Sequence, residues 1–124
     1  MDLLPRIPVD RQVINAYGDG GFRINGQRWE QPILIFPGLT VAWAVDGFAG
    51  MTVESLQPVF DADPAVELLL VGCGPSIAFL PKDIRAAVRE RGVVMEALDT
   101  GAACRTYNLL MGESRRVAAA LIPV

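Results

Sequence analysis

The side chains with the most chemistry to offer gather around two turns. One is Gly72-Cys73-Gly74-Pro75-Ser76; the other is Leu98-Asp99-Thr100-Gly101, followed by Cys104, Arg105 and Asn108. Asp99 and Thr100 are residue types that cap a helix, so the amides after them would be free at its N-terminus and able to hold an anion. Arg105 and Asn108 are three residues apart and share a face of that helix, with Arg105 as counter-charge for a phosphate or carboxylate. The candidate binding set is therefore Gly72, Gly74, Ser76, Asp99, Thr100, Cys104, Arg105 and Asn108. Caps and tight turns call for the same residue types, and a purely structural use of these residues carries more weight than a ligand site.

Cys104 falls in the first turns of the expected helix, where the helix N-terminus and adjacent Arg105 would favour a thiolate. The chain has no histidine to act as its base, and a buried free cysteine commonly serves as a small hydrophobe. With two cysteines and no histidine, one chain cannot assemble a structural zinc site or a histidine-based triad, so no metal and no cofactor are expected. Gly72-x-Gly74 lacks the third glycine and the acidic residue of a dinucleotide fingerprint. The carboxylates, among them Asp46, Glu54, Glu67, Glu96 and Glu113, are scattered and form no flanked pair suited to glycoside chemistry. Tyr17 and Tyr107 could donate to a ligand, though an inward tyrosine with a satisfied hydroxyl is the commoner arrangement. The sequence leaves open whether Cys73 and Cys104 could come close enough to bridge.

The scaffold for these residues is one domain, 1–124, hairpin-rich over 13–45 and α/β over 52–122. An apolar fraction of 52% supplies a core, and is high enough to leave some surface for a partner. The net charge is −3, so no basic field exists to hold nucleic acid. The eleven cations are arginines apart from Lys82. Two cysteines make no disulfide framework, which implies a reducing compartment. Met1-Asp2-Leu3-Leu4-Pro5-Arg6 has no signal-peptide pattern, and the apolar window Pro32 to Met51 is broken by Pro37, Gly38, Asp46 and Gly47. The expectation is a cytoplasmic protein without a transmembrane segment.

The first fifty residues read as strands. Val13 to Tyr17 ends at Gly18-Asp19-Gly20-Gly21, and Phe22-Arg23-Ile24 turns through Asn25-Gly26, a type I′ hairpin signal, into Gln27-Arg28-Trp29. Ile33 to Phe36 is a buried run stopped by Pro37-Gly38, and Leu39 to Val45 is a further strand. From Thr52 the period lengthens: Val53, Leu56, Val59 and Phe60 mark a helical face that ends at Asp61-Ala62-Asp63-Pro64. Val66 to Val71 is a central strand, Pro81-Lys82-Asp83 opens a helix ending at Gly92, and Val93 to Ala97 is the next strand. A third helix runs from Asp99-Thr100 to Met111, with Ala103, Thr106, Tyr107 and Leu110 inward, before a last strand from Arg116 to Ile122. This βαβ order predicts that strands 66–71 and 93–97 lie parallel, with both candidate turns at their carboxyl ends.

The blocks Tyr17-Gly18-Asp19-Gly20-Gly21-Phe22-Arg23-Ile24, Leu69-Leu70-Val71-Gly72-Cys73-Gly74, Asp99 to Leu110 and Arg115 to Pro123 together resemble one family. It is the domain of unknown function four-nine-eight, or Mth-like domain, which includes the mitochondrial assembly factor three of respiratory complex I. The resemblance runs from about Val9 to Pro123. It implies a three-layer α/β fold: a central mixed sheet with βαβ units in the C-terminal half and an added antiparallel hairpin layer from the N-terminal half. It also implies a non-catalytic binding or assembly-type protein with a protein partner. The residues themselves offer an alternative: a small-molecule or anion-binding protein, enzymatic or not, using the crevice between Gly72–Ser76 and Asp99–Asn108. Self-association is compatible with either.

Overall fold

Short hairpins come first among the described residues because their turns are built from residues that accept positive φ. Gly18, Asp19 and Gly20 adopt it in the first turn, and Asn25 and Gly26 in the second, as a type I′ connection requires. The computed structural model describes residues 11–124. β1 (Ile14–Gly18), β2 (Gly21–Ile24) and β3 (Gln27–Trp29) form a small antiparallel sheet in that order. The second sheet has five strands: β4 (Ile33–Phe36), β5 (Leu39–Ala42), β6 (Leu68–Gly72), β7 (Val94–Leu98) and β8 (Val117–Leu121). Its order is β5-β4-β8-β6-β7, with β6 parallel to both β7 and β8 and β4 antiparallel to β5 and β8. The expected parallel pair therefore forms, and the last strand inserts between β4 and β6, joining the two halves into one sheet.

Side-chain alternation along these strands divides the core in two. Leu34, Leu69, Val71, Met95, Ala118 and Ala120 face one side, where they meet Trp43, Leu56 and Val59 and the Ile84 and Val88 face of α2 (Lys82–Glu90). Ile33, Ile35, Leu70, Val117, Ala119 and Leu121 face the other side. There they meet Ala103, Cys104, Tyr107 and Met111 of α3 (Thr100–Gly112), together with Ile14, Phe22 and Ile24 of the small sheet. The alanines of β8 leave room for both layers to approach the sheet centre. The result is three layers, with α3 and the hairpin sheet sharing one face.

Two elements differ from the sequence reading. The strand after Pro37-Gly38 stops at Ala42, because Val45 N–H donates to Trp43 O (2.8 Å) in a tight three-residue turn. That bend sends Trp43 into the core, with its indole N–H on Ser55 Oγ (3.2 Å). The helix expected from Thr52 is a 3₁₀ turn, Glu54–Leu56, followed by the single turn α1 (Gln57–Phe60). Pro58 has no N–H to return to the preceding turn, so a continuous α-helix cannot pass through it. Thr52 does open the segment: Ser55 N–H donates to Thr52 Oγ1 (3.0 Å), and Thr52 N–H donates to Ser55 Oγ (3.1 Å).

Candidate functional site

The carboxyl ends of β6 and β7 bring the two candidate turns together, and Thr100 ties them. Its N–H donates to Gly74 O (2.8 Å), while its hydroxyl accepts from Gly74 N–H (2.9 Å) and donates to Ile122 O (2.6 Å). Thr100 is wholly buried. Gly72 lies against it: a Cβ there would fall 2.9 Å from Leu121 Cδ2 and 3.0 Å from Thr100 Cα, so glycine is required by close approach. Gly74 is required by its φ of 113°. Cys73 N–H donates to Leu98 O and Ile122 N–H to Gly72 O, which closes the remaining backbone across the three strand ends. Ser76 is exposed on the loop beyond.

Asp99 is the N-cap of α3, accepting from Ala102 N–H (2.9 Å). Five residues on, Cys104 is 1% exposed and packs with Ala103, Tyr107 and Met111 on the inward stripe. Burial is the largest influence on its thiol and pushes the pKa up to about 12, against a smaller opposing effect from Arg105. The thiolate that a nucleophile needs is thus disfavoured. Cys73 is also free and buried, but it belongs to the cluster on the opposite face of the sheet from Cys104. Tyr107 is likewise inward; its hydroxyl donates to Gln12 O (2.8 Å), and burial raises its pKa.

Asn108 faces β1. Its side-chain oxygen accepts from Ile14 N–H (3.0 Å) and its amide donates to Ile14 O (2.8 Å), the pair of bonds that a neighbouring strand would offer. Arg105 is exposed, and its guanidinium donates to the Tyr17 hydroxyl. The Tyr17 ring lies over Gly101, where an added Cβ would be 3.1 Å from its hydroxyl. Of the eight candidates, Gly72, Gly74, Asp99 and Thr100 converge, and Asn108 is directed to the small sheet. Cys104 is directed to the core, while Ser76 and Arg105 remain at the surface.

Two cavities lie elsewhere. One of about 720 Å³ sits at the opposite end of the parallel strands, lined by Phe36, Leu39, Pro58, Val66, Arg115 and Val117 among others. Its walls come from strand ends, turns and the Pro58 segment, and no motif announces it. The other, about 260 Å³, lies beside β7 under Ile77, Phe79 and Leu80. Among the described residues, no three of cysteine, aspartate and glutamate come together to hold a metal ion, and no helix is long and apolar enough to cross a membrane.

Residues 14–122 match the family described as protein of unknown function, DUF498/DUF598. The chain is 36% identical over 120 residues to the Xenopus tropicalis NADH dehydrogenase [ubiquinone] 1 alpha subcomplex assembly factor 3; the match takes in 97% of this chain and 66% of that protein. A crystal structure of a Bordetella parapertussis protein superposes with a TM-score of 0.84 at 38% identity, covering 92% of this chain and 97% of that one. A Bordetella pertussis protein described as a Mth938-like domain, solved by NMR, gives 0.82 at 34% identity, covering 99% and 92%. No reaction is attached to these relatives by name. By profile, by identity along nearly its whole length and by fold, this chain belongs to the DUF498/DUF598 family.

Proposed function

We propose that this chain is a non-catalytic, assembly-type binding protein that works through a protein partner, acting on complex I or its subunits in the cytoplasm. The observation that carries the reading is its 36% identity to assembly factor 3 over 97% of the chain. The chemistry of the crevice supports it: Thr100 and Asn108 spend their side-chain polar atoms on backbone groups, Asp99 caps α3 through Oδ1, and Cys104 is held as a buried thiol. Deleting the gene in the native host and resolving membrane complexes on native gels tests it. The expected result is less assembled complex I with its subunits still synthesised; an unchanged amount of assembled enzyme contradicts the reading.

The alternative reading, a small anion in the crevice, rests on Arg105, the candidate whose guanidinium stays exposed beside the Tyr17 hydroxyl. A ligand at one hundred times its dissociation constant adds about 2.7 kcal/mol of stability. We expect phosphate and small carboxylates to leave the melting temperature of the purified protein unchanged. A rise that Arg105→Ala abolishes would favour the anion site instead.

A further inference from the structure

Among the described residues, β7 is an edge strand that pairs with β6 alone. Val94 N–H donates to Glu67 O (3.0 Å) and Leu98 O accepts from Cys73 N–H (2.9 Å), so residues 94, 96 and 98 direct their backbone groups toward β6. By alternation, Met95 and Ala97 direct theirs to the open edge, two donors and two acceptors in a row. Beside this edge the loop between β6 and α2 exposes Ile77 and leaves Phe79 100% exposed, over the 260 Å³ cavity that Ala97 and Arg85 also line. A fully exposed phenylalanine next to unpaired strand backbone is the arrangement that strand addition uses.

We propose that the β7 edge, with Phe79 beside it, is the docking surface for an extended segment of a different polypeptide, added antiparallel as a sixth strand. This rests on the assembly-type reading and locates its contact surface. The charge at Glu96 decides against a second copy of this chain. A two-fold pairing can use all four edge groups only in the register that sets Met95 opposite Ala97 of the other copy. A register centred on Met95 would need Val93, whose N–H is already on Val88 O, and one centred on Ala97 would need Asp99, which caps α3. The productive register places Glu96 directly opposite Glu96, and like charges in that position repel. The same geometry defines the partner: a basic residue opposite Glu96, flanked by two β-branched apolar residues opposite Met95 and Ala97 on the side of Phe79.

The test is an NMR titration of the purified protein with the capped peptide Ser-Thr-Val-Lys-Val-Thr-Ser. The expected result is amide shifts confined to residues 77–80 and 94–98, with Met95 and Ala97 amides exchanging more slowly. Phe79→Ser should weaken binding roughly tenfold, because it removes the aromatic contact without touching the core. N-methylation of both peptide valines should abolish binding, since those N–H groups would face the β7 carbonyls. The proposal is overturned if millimolar peptide leaves these amides unmoved, or if the N-methylated peptide binds equally. It is also overturned if sedimentation shows a dimer that Ala97→Pro dissociates, which would make the occupant a second copy. A failed titration beside a complex I defect in the deletion strain would remove this surface and leave the assembly reading standing.

Discussion

Thr100 makes three hydrogen bonds from one buried position, all to backbone groups of Gly74 and Ile122. Thr100→Val keeps the shape but leaves Gly74 N–H without its acceptor and Ile122 O without its donor. A cost of about 2–4 kcal/mol is expected from unpaired buried groups, while Thr100→Ser should cost much less; denaturant unfolding compares the two. Cys104 gives a pH-dependent counterpart. Its folded pKa of about 12 lies above the ordinary value of 9.0, so between those values the unfolded chain releases a proton that the native state retains. Stability is then fully present below about pH 9 and falls as pH rises toward 12, by at most about 1.4 kcal/mol per pH unit for this group. Tyr107, also raised by burial, adds to the loss above its ordinary value of 10.0. Melting curves from pH 8 to 11 should show the decline, and Cys104→Ala should flatten its first part. Iodoacetamide at pH 8 should label Cys104 only after denaturation.

At the scale of elements, Asn108 attaches the hairpin sheet to α3 by imitating a strand partner for Ile14. Asn108→Leu strands both Ile14 backbone groups, so faster exchange at the Ile14 amide and a loss of about 1–3 kcal/mol are expected, read by hydrogen exchange and unfolding. The turns and parallel strands were legible in the sequence because local chemistry dictates them: Asn25-Gly26 selects its turn, and the apolar run at Leu69-Leu70-Val71 demands cover on both faces. The strand order was not, since nothing within Val117 to Leu121 states that it will lie between β4 and β6. The candidate crevice was legible as a place but not as a use. Spacing puts Asp99, Thr100 and Gly74 at one end of the sheet, but the bond from Thr100 to Ile122 depends on where β8 inserts, which no local pattern states. The residue pattern predicts Thr106 and Leu110 on the inward stripe of α3, whereas Cys104 and Met111 take the buried positions and those two are half-buried. Apolar and small residues surround that helix on several sides, so periodicity alone does not fix its rotation to within one residue.

At the scale of the molecule, three features point outward: the open β7 edge, the exposed Ile77 and Phe79, and a cavity at the other end of the sheet. The interior, by contrast, is committed to packing on both faces of one mixed sheet. These outward features suit the proposed assembly-type role, in which the contact is with complex I subunits. Affinity purification of the tagged chain from its native host, with quantitative mass spectrometry against an untagged strain, measures that most directly. The expected result is enrichment of complex I subunits that do not yet carry the full complement of the mature enzyme. Recovery of the chain with no complex I subunit above background would contradict it.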